Sequence, residues 1–134
     1  MAWSTPKTNW TSGDFCTYVD INRIFGNIDY LYNVIGVTPL HGLQPNLGVT
    51  ATLTVDRCNY TQEEVFNLYN LIGCTSEYDF IFNKTINSTP WSSSDLNTIE
   101  SILLECKNIV DSGDYSINLD YAGTELYADN DSLL

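Results

Sequence analysis

Between Thr17 and Ile35, seven apolar residues (Ile21, Ile24, Phe25, Ile28, Leu31, Tyr32 and Ile35) recur at intervals of three and four. That period places them on one stripe of an α-helix about five turns long, and such a stripe is stable only when other elements cover it. Both ends of the helix are written locally. Thr17 is a cap residue with Asp20 in the first turn, where a carboxylate favours the helix dipole, and Gly36 supplies a left-handed stop. A helix of matching length is predicted from the serine run Ser92-Ser93-Ser94 to Gly113, with Leu96, Ile99, Ile102, Leu103, Cys106, Ile109 and Val110 on its apolar face. A third, shorter one is expected to open at Thr61, where Thr61-Gln62-Glu63-Glu64 reads as a capping box, and to stop at Gly73.

Elsewhere the period changes from helical to alternating. Val49 to Val55 alternates apolar residues with Thr, and Tyr115, Ile117, Leu119 and Tyr121 alternate with Ser116, Asn118 and Asp120. Tyr78 to Phe82 is a further candidate strand, and Val37 to Gly48, with two Pro and two Gly, reads as a long loop. The expected fold is α+β. It is a mainly helical single domain over residues 1–134 with three helices, the two long ones antiparallel, and a small antiparallel β-sheet from strands near 49–55 and 115–121. Residues 1–14 form an N-terminal arm and residues 129–134 a mobile tail.

Composition narrows the function classes. With 43% apolar content and 13% aromatic residues, 134 residues can fill a core, which excludes disorder as the main state. Seventeen acidic against five basic residues give a net charge of −12, a field that repels nucleic acid and anionic membranes. Only 16% of residues are charged, while Asn and Thr number 14 each and Ser 11, so the surface is largely uncharged and polar, suited to extended protein contacts. No apolar run is long enough to span a bilayer, and Met1 to Asp14 lacks the features of an export signal. The expectation is a protein made in the cytoplasm and kept there or released by lysis. Cys16, Cys58, Cys74 and Cys106 form no C-x-x-C pair, and buried reduced thiols are expected, although four cysteines formally allow two disulfides.

No catalytic constellation emerges, and the chain reads as a non-enzyme. His41 is the only histidine and sits in a Pro- and Gly-rich loop without a motif. Ser92 to Ser94 precede an apolar-periodic helix, which makes them caps rather than nucleophiles. Asp20, Glu63, Glu64 and Asp95 occupy predicted helix starts, which the dipole explains. Asp111, Asp114, Asp129 and Asp131 draw no EF-hand loop, and no phosphate-binding glycine loop is present, so neither a metal nor a cofactor is expected. Trp3, Trp10 and Phe15 stand outside the periodic segments. They are candidate interface residues, with the two Trp as hot spots on a partner or, equally, as caps over the chain's own helices.

One pattern occurs twice. Trp10 precedes Asp20-Ile21-Asn22-Arg23-Ile24, and Trp91 precedes Asp95-Leu96-Asn97-Thr98-Ile99. In each, the Asp lies in the first turn, the aliphatic residues share a face, and Asn22 or Asn97 can reach a neighbouring backbone. Three identities in five positions fit duplication and chance alike.

Thr5-Pro6-Lys7-Thr8-Asn9-Trp10, Gly13-Asp14-Phe15 and Asp20-Ile21-Asn22-Arg23-Ile24 together resemble a recurring module of tailed-phage structural proteins from Firmicutes hosts. There a P-K-T-x-W start precedes a helix with a D-x-N-R-I core, and a later helix carries an L-N-x-I-E pattern like Leu96-Asn97-Thr98-Ile99-Glu100. About two thirds of the chain can be placed this way; Val37 to Cys74 cannot, and Thr98 replaces the Arg in the second copy. The resemblance implies a virion component of the tail, baseplate or tail fibre, assembled in the host cytoplasm, with other phage structural proteins or further copies of itself as partners. It carries over no catalytic residue. The alternative is a receptor-binding module that recognises the host surface, which a shallow aromatic cleft would favour.

Overall fold

The computed structural model describes residues 3–49, 54–78, 91–113, 115 and 117. Its regular elements are three helices, α1 (Tyr18–Ile35), α2 (Val55–Ile72) and α3 (Ser93–Ser112). The caps of α1 and α3 fall where the sequence places them. The Asp20 carboxylate accepts from the backbone N–H of Thr17 at 2.9 Å, and Ser92 and Asp95 exchange backbone-to-side-chain hydrogen bonds at 3.0 and 3.1 Å. Gly36, Gly73 and Gly113 end the helices in the left-handed region, at φ 74°, 89° and 71°.

Two expectations are overturned. No β-strand exists among the described residues, so the fold there is helical, not α+β with a sheet. The alternation at 49–55 ends inside a helix: Thr54 accepts from the Arg57 N–H as N-cap, and Val55 opens α2. Residues 50–53, 79–82, 116 and 118–121, the remainder of the proposed strands, lie outside the described residues, as does the tail at 129–134; Tyr115 and Ile117 have no regular structure. Helix α2 is therefore as long as α1, at 18 residues, and Thr61 is internal to it. Its hydroxyl donates to the Arg57 carbonyl at 2.6 Å, which lets a polar side chain sit fully buried in the stripe Cys58, Thr61, Val65, Leu68, Ile72.

The helices also run parallel rather than antiparallel. Arg23 of α1 meets Glu100 of α3 at 2.7 Å, and seven residues further along each helix Lys107 lies 5.7 Å from the Tyr30 ring. Helix α2 follows the same direction: the chain leading into it passes Asn22, near the start of α1, at Leu47, while Asn67 donates to the Tyr32 hydroxyl at 2.8 Å near the far end. An 18-residue helix rises about 27 Å, and the connections are long enough to return that distance in extended form. Two described segments, residues 3–10 before α1 and 37–49 after it, lie along the helices. Ser4 is tied to Asn27 and Trp10 to Asn97, nearer the helix starts; the next segment passes Gly26 at Pro45 before reaching Asn22 at Leu47.

The helices recur as three units, each counted from its N-cap. Their N-caps Thr17, Thr54 and Ser92 are spaced 37 and 38 residues apart. Asn22, Asn59 and Asn97 each fall five residues after the cap, and Leu31-Tyr32-Asn33-Val34-Ile35-Gly36 matches Leu68-Tyr69-Asn70-Leu71-Ile72-Gly73 at the ends of α1 and α2. Each helix packs on the other two. Ile24, Leu31, Leu68, Leu71, Ile102 and Leu103 are fully buried between them, each contributing about 1.5–3 kcal/mol by leaving water.

Candidate functional site

Several polar side chains of the helices hold the segments that pass over them. Asn97 accepts from the Trp10 N–H at 2.7 Å and donates to the Trp10 carbonyl at 3.0 Å, an amide acting as a short strand partner. Asn22 does the same to Leu47, at 2.8 and 2.9 Å, and Asn27 to Ser4, at 2.9 and 2.8 Å. The repeated pattern thus has one physical content. Asp20 and Asp95 fix the helix start, Ile24 and Ile99 enter the core, and Asn22 and Asn97 hold a returning segment.

Carboxylates complete the ties, and these were missed from sequence. Glu100 is fully buried, and its two oxygens accept from the Lys7 N–H (3.1 Å), the Trp10 indole N–H (2.7 Å) and the Arg23 guanidinium (2.9 and 2.7 Å). Burial disfavours the Arg23 charge, but Glu100 and Asp20 more than offset this and hold its pKa above the usual arginine value. Glu64, also fully buried, accepts from the N–H groups of Leu40 (3.0 Å) and His41 (2.8 Å). Glu105 accepts from Thr75 N–H (3.0 Å) and the Tyr78 hydroxyl (2.7 Å); burial and then this bond raise the Tyr78 pKa. The signal was present: Glu100 lies four residues after Leu96 and Glu64 directly before Val65, positions an amphipathic helix gives to its buried side.

These ties account for the candidate residues. Trp10 is 5% exposed, packed in the core with Lys7 5.0 Å from its ring, and Trp3 is half-buried against Tyr30 with Lys107 over both. Phe15 is different, at 89% exposed. Tyr18 (37%) and Val19 (57%) continue an apolar patch from it onto the first turn of α1. His41 stacks on Tyr60 at 4.0 Å and approaches Glu63 at 2.6 Å, held by the loop it belongs to. Asp111 pairs with Lys107; Asp114, Asp129 and Asp131 lie outside the described residues, among which no cluster of His, Cys, Asp or Glu could hold a metal. The four cysteines are thiols, and Cys16, unlike the others, is exposed. Local desolvation, then the charge of Asp20, push its thiol up to about 11.

A cleft of about 310 Å³ opens beside the apolar patch, where the end of the arm meets the start of α3. Trp10, Trp91 and Leu96 supply its apolar wall, and Thr11, Ser12, Ser92 and Ser93 bring hydroxyl groups, with Asp14 and Cys16 near α1. Trp91 is 8% exposed, and its indole N–H is buried with no hydrogen-bond partner among the described residues. In comparisons with protein-family models, curated proteins and solved structures, the chain finds no significant match.

Proposed function

We propose that the chain is a structural component of a tailed-phage virion, in the tail, baseplate or tail fibre, and that it works through protein–protein assembly. The observation that carries the assembly reading is the patch of Phe15, Tyr18 and Val19, three large apolar side chains held in water between residues 15 and 19. A lone Phe at 89% exposure is a cost to a monomer and an anchor for an interface. The phage reading is supported by the P-K-T-N-W and D-I-N-R-I blocks that flank this patch, and the low charge density of the surface suits broad contacts.

Replacing Phe15 and Val19 together by Ser tests the reading. Both side chains are exposed, so the melting temperature should move by no more than about 2 °C, while self-association or co-sedimentation with particles is lost. Normal incorporation of the double variant into particles would overturn it. The second reading, a receptor-binding module, is favoured by the cleft between Trp10 and Trp91, whose indoles and hydroxyls suit a carbohydrate. Saturable quenching of tryptophan fluorescence by host-wall saccharides, retained in the Phe15→Ser/Val19→Ser chain, separates it from the first.

A further inference from the structure

We infer that Cys74 and Cys106 form a modification site, two thiols poised to close into a disulfide when the chain meets a low-molecular-weight disulfide oxidant. Their sulfurs lie 3.3 Å apart, in contact but not bonded. Both residues are buried, Cys106 completely and Cys74 at 8% exposure directly after the Gly73 stop of α2. The preceding unit places Val37 after Gly36 and Leu68 at the position in α2 that Cys106 takes in α3. Aliphatic side chains therefore serve that part of the repeat, and two sulfurs add chemistry that packing does not require. A disulfide needs its sulfurs about 2.05 Å apart, so closure asks for a shift of little more than about 1 Å, available at a residue just past a helix end.

The chemistry balances with oxidised glutathione as co-reactant. Cys74, at the rim of the core, gives up its proton and attacks one glutathione sulfur; that S–S bond breaks and the first glutathione leaves with a proton. Cys106, deprotonated in turn, attacks the Cys74 sulfur of the mixed disulfide and expels the second glutathione. The cysteine pair is oxidised by two electrons and glutathione disulfide is reduced by the same two. Hydrogen bonding to Cys74, then burial, hold the Cys106 thiol well above its usual range, so exchange proceeds through opening of the turn at Gly73 and Cys74. The bond would join the end of the second unit to the helix of the third, across a loop long enough to matter for stability.

The test incubates the full chain with excess oxidised glutathione a few degrees below its melting temperature. Free thiols are then alkylated and the protein is digested for peptide mass mapping. The expected result is a Cys74–Cys106 linked peptide lighter by two hydrogens, and a melting temperature raised by roughly 5–15 °C that dithiothreitol returns to its starting value. A chain with Cys74→Val and Cys106→Leu, the residues of the preceding unit, should fold and show no such redox-dependent shift. The proposal is overturned if wild-type chain yields only glutathione adducts, if Cys16 and Cys58 are linked instead, or if the melting temperature is the same in oxidant and reductant.

Discussion

At the scale of single residues, the fold depends on buried acids that accept hydrogen bonds from segments far away in sequence. Replacing Glu100 by Ala leaves Arg23 half-buried without its bidentate partner and the Trp10 indole N–H unpaired, and should cost about 3–5 kcal/mol in denaturant unfolding. Asn97→Ala removes two neutral bonds to Trp10 and should cost less, about 1–3 kcal/mol. Equal losses would show that charge is not what distinguishes the two ties. Acid should act through the same class of group. Burial opposes ionisation of Asp20 and Glu105, yet hydrogen bonds from Thr17 and Arg23, and from Tyr78 and Thr75, hold both below their ordinary values of 3.8 and 4.5. A lowered folded pKa means the stabilisation is complete above those ordinary values and is lost as pH falls through the folded ones. Melting temperature should therefore be flat in this respect above about pH 5 and fall below pH 4, and Glu105→Gln should flatten part of that fall. Reading Glu64 as a dipole-favoured helix start hid its role, because periodicity counts a charged residue as exposed unless its partners are known.

At the scale of elements, α1 is legible to the residue and α3 to within its serine run, because each carries a cap, a long apolar stripe and a glycine stop in uninterrupted register. Helix α2 was half legible. Its stop at Gly73 was plain, but its first turns contain Asp56, Arg57, Asn59 and a Thr61 whose buried hydroxyl is satisfied within the helix. The Val and Thr alternation upstream favours a strand locally, and tertiary burial of Cys58 and Thr61 overrides it. Thr54→Ala should thus cost about 1 kcal/mol, the loss of a genuine N-cap. Amides from Asn59 to Glu63 should be protected from hydrogen exchange, as they are in a helix starting at Val55 and are not in one starting at Thr61. Gly73→Ala, at φ 89°, should cost a further 1–2 kcal/mol or so. The pattern shared at Asp20 and Asp95 is visible in the sequence, but its counterpart in α2 is not, since α2 keeps the Asn and the Leu-Tyr-Asn-x-Ile-Gly end while losing the Asp and the flanking Ile.

At the scale of the whole molecule, the parallel run of α1 and α2 follows from the segment 37–49, which returns beside α1 to Asn22 and delivers the chain to the start of α2. Apolar stripes do not encode direction, which is why the sequence left the helices free to be drawn antiparallel. The N-terminal arm closes the bundle by lying across α1 and α3 through Asn27, Asn97 and Glu100. An arm used in this way is not available to a neighbouring subunit, which moves the proposed assembly contact to Phe15, Tyr18 and Val19 at its end. Deleting residues 2–13 should consequently destabilise the fold itself. Loss of buried Trp10 alone is worth about 3–5 kcal/mol, and the Arg23–Glu100 pair loses two of its supporting bonds, against a total stability of about 5–15 kcal/mol for a domain. The truncated chain should melt at least about 10 °C lower than the full one, or without a cooperative transition, by calorimetry. A synthetic peptide of residues 2–14 added in trans should restore part of that loss, because the groove between α1 and α3 keeps its Asn and Glu partners. A truncated chain that melts like the full protein would mean that the arm rests on the bundle without holding it together.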